Sequence, residues 1–215
     1  MHELPARRED PTRPGPGGRR AQLATVAGRL FRERGYHAVG MRMIAEAADI
    51  RAASLYHHFR SKEELLLQVV FRVNRDLIAE YLPLLEGPGS YADRLGALVR
   101  AHILHIWNDR DAWWLATREL RALSPAALEQ VQVDRRYYQH RIADFIAAGV
   151  AAGEFACADP RLTTLAVLDM INGLNEWFSP DGRYTIDELS DRYVEMVVSG
   201  LAQAHRSAPA AAEAR

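Results

Sequence analysis

Residues 35–65 read GYHAVGMRMIAEAADIRAASLYHHFRSKEEL. The stretch predicts two short helices, over 41–47 and 52–58, joined by a tight turn at Ala48-Asp49-Ile50. Ala45 is small enough for the two helices to approach closely. Ile44, Ile50, Leu55 and Phe59 supply a miniature core beneath them, which leaves one face of the second helix free. Such a face suits the major groove of DNA, which admits an α-helix. Upstream, Leu23, Val26, Ala27, Leu30 and Phe31 share one helical face, and Gly35 stops that helix. Downstream, Ser61 with Glu64 forms a capping box for a long helix expected to run to Leu82, where Pro83 and Gly87-Pro88-Gly89 end it.

The same local signals recur along the chain. Ser90 caps a helix to Trp107, and a shorter one covers 111–122. Ser124-Pro125 and Asp159-Pro160 each place an N-cap before a proline at the first helical position. The helices they open are expected to reach Gly153 and Phe178. Thr185 with Glu188 opens a last helix to His205. The sum is an all-α chain of about nine helices with no credible strand. Residues 1–18, rich in Pro, Gly and Arg, and residues 206–215 lack the apolar surface to offset their ordering entropy and are expected to be disordered. Between them the chain divides into a helix-turn-helix part, 19–67, and a larger part, 68–205.

The net charge of −1 conceals an asymmetry. Residues 1–62 carry twelve Lys and Arg against six Asp and Glu, whereas the remainder carries a net −7. A basic end on an acidic body fits a nucleic-acid-binding part joined to a part with a different task. The single cysteine, Cys157, cannot form an internal disulfide and fits a reducing compartment. No leader pattern follows Met1, and no apolar run reaches the ~18 residues of a membrane span, so a cytoplasmic, membrane-free protein is expected.

The sequence 35–65 closely resembles the DNA-binding domain of the tetracycline-repressor (TetR) family. The match is carried by Ile44-Ala45, then Ser54-Leu55-Tyr56-His57-His58-Phe59, then Ser61-Lys62-Glu63-Glu64-Leu65, and it is dense over residues 20–67. The resemblance implies a three-helix DNA-binding domain whose contact residues are Arg42, Arg51, Ala52, Ala53, Ser54, Tyr56, His57 and Lys62. Arg42 offers a bidentate fork for guanine. Ala52, Ala53 and Ser54 open the recognition helix, and Tyr56, His57 and Lys62 are positioned to meet phosphates. His58 is as ready to pack inside as to touch DNA. Four positions depart from the family pattern: Gly40 in place of a capping Thr, Asp49 in place of the turn glycine, Arg51 in place of a capping Ser, and Ala53 where Gly is common. Asp tolerates left-handed geometry better than most residues.

In this family the last two long helices pair with those of a second subunit. Leu165, Gly173, Tyr193, Val197, Gly200 and Leu201 are the candidate dimer contacts here, with Gly173 and Gly200 permitting close approach. The larger part is also expected to hold a ligand. Polar and aromatic residues interrupt its apolar helices at Trp107, Trp113, Trp114, Arg118, Tyr137, Tyr138, Arg141, Asn172, Asn175 and Trp177. From these, Trp114, Arg118, Tyr138, Arg141, Asn172, Asn175 and Trp177 form the candidate ligand set. A neighbouring helix would satisfy the asparagines as well as a ligand would. Gly149-x-x-x-Gly153-Glu154-Phe155 and Trp177-Phe178-Ser179-Pro180-Asp181-Gly182 resemble a subgroup that includes acyl-CoA-responsive repressors. That likeness implies an acyl-CoA or related hydrophobic inducer, with Arg118 and Arg141 meeting phosphates or a carboxylate.

The expectation is therefore a homodimeric, ligand-released repressor on palindromic operator DNA. A ligand-independent DNA-binding protein and a drug-responsive efflux repressor are the alternatives. No phosphate loop, nucleophile elbow or paired-cysteine site marks an enzyme, and no cofactor or metal is implied. His102-x-x-His105 is the one spacing that would revive a metal.

Overall fold

The computed structural model describes residues 18–203, which fall into two packed units dividing between Val69 and Val70. The segments expected to be disordered lie outside the described residues, except for Gly18, which opens α1, and so does His205. Every regular element among the described residues is helical.

The first unit holds α1 (Gly18–Arg34), α2 (Met41–Ala47), α3 (Ala52–His58) and the start of α4 (Lys62–Asp76). Leu23, Ala27, Leu30 and Phe31 of α1 and Ile44, Leu55 and Phe59 are buried as expected, Leu65 joins them, and Val26 and Ile50 are only half-buried. Leu55 and Phe59 lie one turn apart and give α3 a single inward stripe. The turn between α2 and α3 closes as a Schellman motif. Ile50 donates to the Ala45 carbonyl at 3.0 Å and Asp49 to that of Glu46 at 3.1 Å, with Asp49 at φ 51° in the left-handed region. Asp49 thus does the work of the usual glycine. The α4 cap is only half a box. The Glu64 amide donates to Ser61 Oγ at 3.1 Å, but the Glu64 carboxylate accepts from the Arg60 amide at 2.7 Å and from Arg20 at 2.8 Å. Arg20, stacked 4.2 Å from the Phe59 ring centre, also holds the Glu64 carboxyl below its usual range.

The second unit contains the end of α4, a π-helical turn (Leu77–Tyr81), a 3₁₀ turn (Leu82–Glu86), α5 (Tyr91–Asn108), α6 (Arg110–Arg118), a 3₁₀ turn (Leu120–Ala122), α7 (Pro125–Ala151), α8 (Pro160–Asn172), the four-residue α9 (Leu174–Trp177) and α10 (Ile186–Gln203). α5 is the central element and touches each of the other α-helices from α6 to α10. The caps at Ser90/Asp93, Ser124, Asp159 and Thr185/Glu188 form as expected.

Three expected helices are shorter than their periodicity predicts. α4 stops at Asp76 because Pro83 lacks an amide and crowds the carbonyl four residues back, and the chain relaxes through the π turn. α6 ends at Arg118, leaving 120–122 as a 3₁₀ turn. α8 breaks at Gly173 and resumes only for the one turn of α9. Within the single chain the glycine at a helix crossing is Gly96. A Cβ on Gly96 would lie 3.0 Å from Val194, so α5 and α10 meet there, whereas Gly200 faces open space.

Candidate DNA-reading surface and regulatory cavity

α2 and α3 place Arg42, Arg51, Ala53, Ser54, Tyr56 and His57 at the surface and leave Ala52 half-buried. Tyr56 is 52% exposed while Leu55 beside it is 0% exposed, so the outward and inward sides of α3 separate cleanly. Gly40 and Arg51 occupy the two N-cap positions without side-chain caps. Their places are set by the turns, and the Arg51 guanidinium is left outward. Arg60, just past α3, is a further exposed cation that the sequence did not single out.

Lys62, expected to meet a phosphate, also has partners inside this unit. Its ammonium donates to the Tyr36 carbonyl at 2.8 Å and lies 4.3 Å from the Tyr36 ring centre, which ties the start of α4 to the loop after α1. Nothing local announces a partner 26 residues away. Hydrogen bonds from charged groups contribute about 1.5–3 kcal/mol. Lys62→Met is therefore expected to lower the stability of this unit by about 1–3 kcal/mol, read as a fall in the thermal midpoint by circular dichroism.

Within the second unit a cavity of about 180 Å³ lies among the end of α4, α5, α6, α7 and α8. Of the seven ligand candidates, Tyr138 and Asn172 line it. The other five do not. Arg118 pairs with Glu176, its Nε 3.2 Å from the carboxylate, and Arg141 pairs with Glu86 at 2.9 Å. Trp177 is 56% exposed. The break at Gly173 puts Asn175 and Trp177 on α9 instead of on the α8 face that meets the cavity. Trp114 is half-buried on α6 with its neighbour Trp113 facing the cavity.

The cavity wall carries unsatisfied polarity. Asn74 Nδ2, His102 Nε2, Trp113 Nε1, Asp134 Oδ2 and Asn172 Oδ1 are buried polar atoms without a hydrogen-bond partner, and all five residues line the cavity. Buried polar groups are nearly always paired, so these atoms are the ones that water or another polar guest in the cavity would meet. The His102–His105 spacing noted in the sequence finds its explanation here, since both rings are buried and pack edge-on against Trp113. No group of three or more metal-ligating side chains occurs among the described residues.

Burial, and secondarily the charge His105 would carry, pushes His102 down to about 3. The neutral ring is the native form. The unfolded chain binds a proton near 6.5 that the folded chain resists until about 3, so stability is full above 6.5 and falls as pH drops through that window. The slope is about 1.4 kcal/mol per pH unit for this group. His102→Gln is expected to remove roughly 2 kcal/mol of the difference between stabilities measured at about pH 7 and about pH 5. An unchanged difference would show that His102 titrates normally.

A second, apolar groove of about 490 Å³ runs between α8 and α10, with Leu162, Val167, Met170, Met196, Gly200 and Leu201 among its walls. Leu162 is 64% exposed and Met196 50% exposed. Among the dimer candidates, Val197, Gly200 and Leu201 border this groove, and Leu165, 44% exposed, borders the cavity on another side of α8. Tyr193, Val197 and Leu201 are already buried within the single chain, because α10 packs along α5. The exposed large apolar side chains of α8 and α10 are Leu162, Leu165 and Met196 and not those three. Gly173 is half-buried at the end of α8. No described helix is long and apolar enough to cross a membrane.

A helix-turn-helix with an exposed second helix, joined to an all-helical unit, defines a class of DNA-binding regulators. Residues 23–69 match the family model for bacterial regulatory proteins of the tetR family, and residues 88–201 match that for the tetracyclin repressor-like C-terminal domain. The chain belongs to the TetR family of DNA-binding transcriptional regulators. It is 30% identical over 196 residues to the transcriptional repressor KstR2 of Rhodococcus jostii, covering 89% of this chain and 95% of that one. It is 29% identical over 185 residues to the transcriptional activator FasR of Mycolicibacterium smegmatis, covering 85% and 83%. The solved structure of AibR with isovaleryl coenzyme A and operator DNA is similar at a TM-score of 0.75 and 25% identity, over 83% of this chain and 97% of that one.

Proposed function

We propose that the protein is a homodimeric repressor that a small-molecule ligand releases from a palindromic operator in the cytoplasm, with no catalytic step of its own. The observation that carries this reading is the coexistence of the exposed α2–α3 face with a cavity whose wall holds five buried polar atoms without a hydrogen bond. Arg42, Arg51, Ala52, Ala53, Ser54, Tyr56 and His57 read and grip DNA from residues 18–69, while residues 70–203 bind the ligand and the second copy. Two recognition helices reach half-sites about 34–36 Å apart only when two chains are joined by a two-fold axis. The apolar α8–α10 surface around Leu162, Leu165 and Met196 is the face for that pairing. AibR, which binds isovaleryl coenzyme A and operator DNA, supports an acyl-CoA or a related metabolite as the ligand class.

A ligand that binds one of two states better shifts the population toward it. The test is fluorescence anisotropy of labelled DNA, chosen from a pool by the protein itself, while isovaleryl coenzyme A is titrated in. Release supports a ligand-released repressor. Retention across a series of acyl thioesters favours a ligand-independent protein. FasR is an activator, which makes activation the second reading. A reporter gene behind the selected sequence separates the two by the sign of its response when the protein is expressed.

A further inference from the structure

Arg135 lines the cavity from α7, and its one hydrogen bond among the described residues goes to the Ala116 carbonyl at 2.6 Å. No described carboxylate pairs with it. The surface arginines Arg118 and Arg141, in contrast, are each matched to a glutamate. A half-buried guanidinium without a counter-charge gains from an anion that meets it, and desolvation lowers its affinity for the proton.

The wall that Arg135 shares offers three unpaired buried atoms able to donate, against two unpaired acceptors, Asp134 Oδ2 and Asn172 Oδ1. Trp113 Nε1 and Asn74 Nδ2 are buried donors with no acceptor. The Tyr138 hydroxyl lies 3.3 Å from His102 Nδ1. A tyrosine that donates there leaves the proton of the neutral imidazole on Nε2, which is also unpartnered. His102, Asn74 and Trp113 are 2%, 6% and 6% exposed, so water outside the cavity does not serve them. On the acidic side, Asp134 has Arg75 at 3.8 Å, and Asp169 is an exposed residue of α8.

We propose that this cavity is a carboxylate site, in which Arg135 meets the anion and Trp113, His102 and Asn74 donate to its oxygens. The proposal rests on reading the cavity as the effector site of the regulator, and it names the chemistry that site selects. Its size limits the guest. A cavity of ~150 Å³ holds a benzene-sized molecule, so about 180 Å³ takes a short acid and not a whole coenzyme. The carboxylate comes either from a free short-chain acid or from the far end of an acyl thioester whose coenzyme stays outside.

The test is isothermal titration of the full-length protein with glutarate, glutaryl coenzyme A and isovaleryl coenzyme A, the last also having five acyl carbons but a branched chain and no carboxylate. At least one of the two carboxylate probes is expected to bind at least about tenfold more tightly than isovaleryl coenzyme A. Glutarate binding as tightly as its thioester identifies a free acid, and binding of the thioester alone identifies an acyl-CoA; both support the site. Arg135→Gln is expected to cost the carboxylate probe about tenfold or more and isovaleryl coenzyme A less than about threefold. Trp113→Phe removes the indole N–H together with part of the ring, leaves the Ala116 carbonyl in place for Arg135, and is expected to cost the carboxylate probe roughly tenfold. Neither carboxylate probe binding more tightly than isovaleryl coenzyme A overturns the proposal. Selection of DNA by the same preparation is scored separately. A protein that selects a DNA sequence and ignores carboxylates refutes this inference alone, and one that selects no DNA refutes the regulator reading.

Discussion

Ala53→Glu is expected to weaken operator binding by about 100-fold or more while leaving the thermal midpoint of the protein unchanged. Position 53 is exposed in the first turn of α3, between the small side chains of Ala52 and Ser54, and it touches none of the core that Leu55 and Phe59 form. Glutamate is a good helix former, so the variant has no folding reason to fail. Against DNA it would bring a carboxylate toward base edges and phosphates, where a like-charge encounter costs several kcal/mol. Gel-shift titration at fixed salt reads the loss, and circular dichroism reads the fold. Wild-type affinity in this variant would mean that the DNA face lies elsewhere on the first unit.

Gly149→Val is expected to destabilise the second unit by about 3 kcal/mol. A Cβ at Gly149 would stand 2.3 Å and 2.7 Å from two ring carbons of Phe155. That ring cannot swing away, being 2% exposed and packed edge-on against Tyr91, whose amide donates to the Glu154 carboxylate at 2.7 Å. The close fit arises at the end of α7, another Schellman motif. Gly153 stands at φ 78°, the Glu154 amide donates to the Gly149 carbonyl at 3.0 Å, and the Gly153 amide donates to Val150 at 3.0 Å. The chain then turns back so that the Ala156 amide meets the Leu201 carbonyl at 3.0 Å, which fixes one end of the α8–α10 groove. Phe155→Leu added to Gly149→Val is expected to restore part of the loss, the signature of direct coupling in a double-mutant cycle. Independent, additive losses in thermal unfolding would contradict this account of the corner.

The Gly149–Phe155 spacing was legible in the sequence as a family likeness, but its physical reason appears only when the ring is seen over the glycine. Caps and stops were legible outright, because Gly35, Ser90, Asp159 and Thr185 act within four residues of themselves. The miniature core was legible for the same reason, since Leu55 and Phe59 are one helical turn apart. Longer-range pairings were not. Arg118, Arg141 and Lys62 all looked available for anions, yet each found a partner 26 or more residues away. Arg135 was passed over, although the structure leaves it without an acid. Periodicity made α8 look continuous to Phe178, and the break at Gly173 moved two ligand candidates away from the cavity wall. Tyr193 and Val197 share a helical face with true surface residues, and only the packing of α10 along α5 assigns them to the interior.

The measurement that bears most directly on the central claim is selection of bound sequences from a random pool of duplex DNA by the purified full-length protein, followed by sequencing. The account predicts enrichment of a palindrome whose half-sites are centred about one helical turn apart, roughly 10 base pairs, or a multiple of that distance. The same selection with Ala53→Glu should enrich nothing. Enrichment of a single unpaired half-site, or no enrichment by a protein with a native circular dichroism spectrum, would contradict a dimeric, sequence-reading regulator.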